Sequence, residues 1–146
     1  MSIEHTITVE FFVQEPYRAT NQLGAPLTLD PYAPGGMASP VELLLLSLVA
    51  CAGQEVLTLL RQEGQAVVAL EVQVHAKHRD QYPLILSTIA LDFAVTGEEI
   101  DSEAVSRSIE LVSLRYCPIW SMLEQSAWIT ASYRVQEALT LAVPGD

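Results

Sequence analysis

The chain has 146 residues, half of them hydrophobic, and its 18 acidic and 7 basic side chains give a formal net charge of −11. A chain of this length can bury a core without disulfides or metals, so we expect a single domain over residues 1–146, with 137–146 as a C-terminal tail. The negative charge opposes attraction to phosphate backbones and to anionic lipid surfaces, which argues against nucleic acid and membranes as partners.

The first residues and the cysteine spacing indicate the cellular compartment of the protein. The first residues lack the basic start and apolar core of a signal peptide, and the apolar run Leu43 to Ala52 is about half a membrane span. We therefore expect a cytoplasmic protein. Cys51 and Cys117 lie too far apart for the paired ligands of a structural zinc site, and a reducing compartment disfavours a structural disulfide. Two free thiols without a cofactor are expected.

Three short strands are predicted at the start of the chain. From Ile3 to Val13 apolar and polar residues alternate with the period of a half-buried strand. After the turn at Glu15-Pro16, residues 17–20 and 26–29 favour two further strands, which would complete an antiparallel meander. Residues 30–38, with two prolines and Gly35-Gly36, then predict a loop.

A long central helix is predicted from Ser39 to Gly64. Ser39, Pro40 and Glu42 fit a capped first turn, and Gly64 suits the left-handed residue that ends a helix. The helix is apolar nearly all round, which is typical of a helix wrapped by other structure. Because few strands are available to cover it, we expect burial at the interface of a homodimer.

The second half predicts a hairpin, a helix and a closing strand. Alternation from Val68 to Lys77 and from Ile85 to Val95 indicates two strands with one face in the core. A helix should begin at Ser102 and be interrupted at Pro118, and residues 127–135 should form the last strand. The fold class is therefore α+β, with antiparallel sheets around the long helix.

Cys51 is the first candidate for chemistry, although free cysteine often serves as a small buried hydrophobe. At about 100° per residue it shares a helix stripe with polar residues, which is unusual in so apolar a helix. This polar stripe consists of Ser47, Gln54, Glu55 and Thr58. Glu55 follows Cys51 by one turn and would oppose a thiolate unless a cation neutralised it. Glu42 fits a capping role and lies about 180° around the helix from Cys51.

Cys117 and Arg18 are the other candidates. Cys117 precedes Pro118 at a helix break, where N–H donors and the helix dipole would lower a thiol pKa; the alternative is a buried turn residue. Arg18 lies in a strand with few charges, where a guanidinium would pair with a thiolate or carboxylate, or would simply face solvent. His5, His75 and His78 form no catalytic pattern.

The chain resembles the OsmC/Ohr family. The resemblance rests on four stretches and on a compatible order of elements over nearly the full length: Gly35-Gly36, Ser39-Pro40-Val41-Glu42-Leu43-Leu44-Leu45, Ala50-Cys51 and Tyr116-Cys117-Pro118. It implies an intertwined homodimer with two long central helices. It also implies reduction of organic hydroperoxides by Cys51, resolution by Cys117 as a disulfide, a thiolate-stabilising arginine at Arg18, and reduction by an external dithiol.

The start of the helix departs from the peroxidase branch of that family. The peroxidase branch has glutamate directly after the proline, whereas this chain has Val41. The Pro-x-Glu-Leu-Leu-Leu form is similar to the less characterised OsmC-like branch, which often has an acid one turn after the cysteine, as Glu55 is here. A dimer that binds a small molecule or a protein partner without peroxidase activity is therefore the alternative hypothesis.

Overall fold

A computed structural model describes residues 3–11, 13, 16–29 and 39–139. The chain divides into two compact units, Met1–Leu45 and Leu46–Asp146. The predicted loop over residues 30–38 and nearly all of the predicted tail lie outside the described residues. Glu137, which the prediction assigned to the tail, is instead the last residue of a strand.

The N-terminal unit contains an antiparallel meander, as predicted. Its strands are β1 (Ile7–Glu10), β2 (Tyr17–Asn21) and β3 (Pro26–Leu29), in the order β1-β2-β3. The turn between β2 and β3 forms because the Asn21 side-chain oxygen accepts from the backbone N–H groups of Leu23 and Ala25, at 3.0 and 2.9 Å. Strand β1 is shorter than its alternating sequence predicts.

The long helix α1 spans Pro40–Gln62, which confirms the predicted element. The helix is followed by Gly64, whose φ of +76° lies in the left-handed region that glycine adopts without backbone strain. The Gly64 N–H donates to the Arg61 carbonyl at 3.0 Å, and the Gln65 N–H donates to the Leu60 carbonyl at 2.9 Å. These two bonds form a Schellman motif that satisfies carbonyls left free at the helix end.

The C-terminal unit contains a three-stranded sheet in the order β4-β5-β6. Strands β4 (Ala66–His78) and β5 (Leu86–Glu98) form the predicted antiparallel hairpin. Strand β6 (Trp128–Glu137) pairs with β5 in parallel, so the prediction of purely antiparallel sheets is wrong for this pair. A parallel neighbour requires a crossover connection, and helices α2 (Ser102–Leu111) and α3 (Pro118–Leu123) provide it.

One predicted core residue of β4 lies outside the core. Val67 pairs with Gly97 and Ala69 pairs with Thr96, so Val68 is the extra residue of a β-bulge. Its side chain is 68% exposed, although the alternating sequence places it on the inner face. The register then continues regularly to Ala76 and Ile89.

The core of the C-terminal unit is built by one face of α1, by β5 and by the crossover helices. Each large side chain buried there contributes about 1.5–3 kcal/mol. The large aliphatic and aromatic side chains that are fully buried are Leu48, Val56 and Leu60 of α1, Ile89, Leu91, Phe93 and Val95 of β5, and Val105 and Val112 after them. The opposite side of α1 remains partly exposed, as Leu46 at 48% illustrates.

Candidate active site

The two cysteines meet in the C-terminal unit. Cys51 is half-buried in the middle of α1, and Cys117 is 1% exposed directly before α3. Their side chains are close enough to interact electrostatically, and both cysteines are free thiols. Residues distant in sequence are thus brought to contact by the fold.

A π-helical turn, Val112–Tyr116, positions Cys117. The Cys117 N–H donates to the Val112 carbonyl at 3.0 Å, a bond that spans one residue more than in an α-helix. Pro118 then starts α3, with Cys117 as the residue that caps it. The Cys117 sulfur accepts from the Trp120 N–H at 3.4 Å. One backbone bond therefore fixes the main chain of Cys117, and the other holds its sulfur.

Burial governs the acidity of Cys117. The pKa of Cys117 is raised from its ordinary value of 9.0 to about 11, mainly by desolvation and to a smaller extent by the interaction with Cys51. The N–H groups of Trp120 and Ile119 lower the pKa, as expected at a helix start, but their effect is smaller than that of burial. The predicted N–H donors therefore lower the pKa as expected, but the net shift is upward, which agrees with the alternative interpretation of Cys117 as a buried turn residue.

This difference in burial gives the two thiols different chemical roles. A thiol with a pKa of about 11 is protonated at neutral pH, so Cys117 can donate its S–H to the Cys51 sulfur. The half-buried Cys51 is then the sulfur that a substrate can reach. Chemically, the pair suits one accessible nucleophile, Cys51, with a protonated thiol beside it.

The polar stripe beside Cys51 is only partly satisfied. Thr58 donates to the Gln54 carbonyl at 2.9 Å, and the Gln54 amide donates to the Thr58 hydroxyl at 3.4 Å. Glu55 is half-buried, and no hydrogen bond or ion pair reaches its carboxylate from residues 3–11, 13, 16–29 or 39–139. Among the described residues, Glu55 therefore has no hydrogen-bond or ion-pair partner, although it lies one helical turn from Cys51.

The other predicted site residues lie in the N-terminal unit. Arg18 is exposed and lies opposite Glu10 and Thr28 in the strand pairing, which agrees with its alternative interpretation as a surface strand residue. Glu42 is exposed in the first turn of α1. Their roles toward Cys51 stay predictions.

The sequence did not single out Trp120 or the π-helical turn. The Cys117-Pro118 pair was the one available signal, because it marks a helix start at the thiol. No sequence pattern in residues 112–116 predicts a π-helical turn.

Within the described part of the chain, His, Cys, Asp and Glu form no cluster of three that could hold a metal ion.

An open groove of about 480 Å³ lies elsewhere in the same unit, between α1 and β4. Its walls are mostly apolar, with Gln54 and Arg61 as polar members. Gly53 brings the helix close to β4 there, since a Cβ at this position would lie 3.5 Å from a methyl group of Val72.

Helix α1 is long and apolar enough to cross a membrane by length and composition. Core helices of soluble proteins meet the same criterion. This feature alone is weak evidence for a membrane span.

Comparison with known proteins identifies the family. The model of the OsmC-like protein family matches residues 33–132. Protein YhfA of Escherichia coli K12 is 35% identical over 100 residues, which cover 68% of this chain and 75% of YhfA.

Solved structures show the same fold. A hypothetical protein from Aquifex aeolicus VF5 superposes with a TM-score of 0.83 at 22% identity, over 95% of this chain and all of that one (100%). An organic hydroperoxide resistance protein OsmC from Legionella pneumophila superposes with a TM-score of 0.65 at 15% identity, over 91% and 98% of the two chains. The chain belongs to the OsmC-like family.

Proposed function

We propose that this protein is a cytoplasmic, thiol-dependent reductase of organic hydroperoxides. The contact between Cys51 and Cys117, with Cys117 buried and protonated, carries the proposal. The Cys51 thiolate attacks the peroxide oxygen, the O–O bond breaks, and an alcohol leaves while Cys51 becomes a sulfenic acid. Cys117 then displaces water from that sulfur to form a disulfide, and an external dithiol returns both cysteines to thiols.

The active form in this proposal is a homodimer. Apolar side chains of the N-terminal meander are exposed in the single chain, with Ile7 at 62%, Phe11 at 70% and Leu27 at 54%. Leu46 of α1 is 48% exposed as well. A second copy of the chain is the occupant that the family fold provides for such surfaces. A monomer in sedimentation velocity at micromolar concentration would contradict this part of the proposal.

The activity is tested with reduced protein and cumene hydroperoxide. Thiol loss should exceed that of a model thiol, and intact mass should show a disulfide between Cys51 and Cys117. Cys51→Ser should abolish the reaction. Cys117→Ser should still react once and stop at the sulfenic acid, which dimedone traps. Wild-type thiol loss no faster than that of the model thiol would refute peroxidase activity.

The groove between α1 and β4 favours a second candidate, a binding protein without peroxidase activity. Its apolar walls and the exposed Arg61 guanidinium fit a molecule with an apolar chain and an anionic end. Decanoate is a suitable probe, with decanol as the uncharged control. Tight decanoate binding that Arg61→Gln abolishes, together with thiols inert toward hydroperoxide, would favour this candidate.

A further inference from the structure

We infer that Glu55 carries the proton that hydroperoxide reduction at Cys51 requires. This inference rests on the proposed function, since it assigns a role in that reaction to a side chain next to the thiol. Glu55 follows Cys51 by one turn on α1, so their Cβ atoms are about 5–6 Å apart on one helix face. A glutamate side chain is long enough to reach a substrate oxygen held at the sulfur.

The state of the carboxylate supports the assignment. Glu55 is half-buried, yet within the described ranges it has no hydrogen-bond or ion-pair partner. A carboxylate with a purely structural role normally has such a partner, because partial burial weakens its hydration. At a spacing of four residues, Glu55 lies on the same side of α1 as Cys51.

The other polar neighbours do not fit this role. Cys117 is protonated at neutral pH, so it cannot accept the proton of Cys51. Gln54 and Thr58 do not titrate in the physiological range, and they are hydrogen-bonded to each other. Among the described residues on this stripe, Glu55 is the one group that can both accept and return a proton.

The proposed reaction neither consumes nor releases a proton. Glu55 accepts the proton from the Cys51 S–H, and the resulting thiolate attacks the terminal peroxide oxygen. As the O–O bond breaks, the protonated Glu55 gives the same proton to the departing alkoxide. The products are a sulfenic acid and an alcohol, and Glu55 returns to a carboxylate. General acid–base catalysis of this kind typically contributes about 10²–10⁴-fold to a rate.

The leaving group provides the test. tert-Butyl hydroperoxide releases a strongly basic alkoxide that needs a proton, whereas peracetic acid releases acetate, which does not. Glu55→Gln should slow the reaction with tert-butyl hydroperoxide about 100-fold and leave the reaction with peracetic acid much less affected. Alkylation by iodoacetamide should not slow, because removal of a nearby negative charge favours the thiolate. Glu55→Asp should restore part of the lost rate, and Glu71→Gln on β4 is the matched charge control.

The results separate the two proposals. Slower reaction of Glu55→Gln with all three reagents would indicate a structural role and overturn the inference, as would unchanged rates with both peroxides. In either case wild-type activity would still support the proposed function. If the wild-type protein reacts with tert-butyl hydroperoxide no faster than a model thiol, the proposed function fails, and the role of Glu55 fails with it.

Discussion

The side chains of Cys51 and Cys117 interact, and the more buried of the two thiols, Cys117, is protonated at neutral pH because its pKa is raised to about 11. One cysteine belongs to the central helix, and the other caps a short helix after a π-helical turn. Their contact places a protonated thiol beside the accessible sulfur, which is the arrangement needed to close a disulfide after oxidation of Cys51.

Alkylation should distinguish the two thiols. Because burial raises the pKa of Cys117 to about 11, its thiolate fraction at pH 8 is on the order of 10⁻³. Iodoacetamide followed by peptide mass spectrometry should label Cys51 first and Cys117 only slowly. Faster labelling of Cys117 in the folded protein would contradict the burial and the pKa together.

The same pKa predicts how stability depends on pH. The folded pKa of Cys117, about 11, lies above its ordinary value of 9.0, so the folded state binds the proton more tightly. The resulting stabilisation, about 2–3 kcal/mol, is complete below pH 9 and is lost as pH rises through 11. Urea denaturation should show a smaller loss between these pH values in Cys117→Ser than in the wild type.

The long helix and most strands could be predicted because local signals define them. Pro40 and Gly64 mark the ends of α1, and alternation marks β4 and β5. The direction of β6 could not be predicted, since an alternating strand has the same sequence pattern in either orientation. The contact between Cys51 and Cys117 was implied by family resemblance, not by any local signal.

The bulge at Val68 shows why a correct strand can still have a misassigned face. The residues alternate through the bulge, so the sequence carries no sign of the extra residue. Val68→Thr should therefore change the free energy of unfolding by less than about 0.5 kcal/mol. Leu91→Ala, at a fully buried position of the neighbouring strand, should lower the free energy of unfolding by about 2–5 kcal/mol. Similar losses for the two variants would contradict the bulge; urea denaturation measures both.

The cap of α2 should contribute measurably to stability. The Asp101 carboxylate accepts from the Glu103 N–H at 3.0 Å, which satisfies a donor left free at the helix start. Asp101→Ala should lower the free energy of unfolding by about 1 kcal/mol, whereas Asp101→Asn should lower it much less, because the asparagine side-chain oxygen can accept the same hydrogen bond. Equal losses in thermal or urea denaturation would show that the side-chain oxygen is not the stabilising group.

Two glycines should respond to alanine for different reasons. At Gly64 a Cβ would have no atom within 4 Å, so Gly64→Ala should cost only the backbone strain of a left-handed residue, about 1–2 kcal/mol. At Gly97, buried in β5, a Cβ would overlap the Ala66 carbonyl oxygen and lie 2.6 Å from a side-chain carbon of Ile100. A backbone atom cannot move aside as the end of a flexible side chain can. Gly97→Ala should therefore lower the free energy of unfolding more than Gly64→Ala does. Urea denaturation of the two variants measures the difference, and an equal or smaller loss at Gly97 would show that β4 and β5 separate there at little cost.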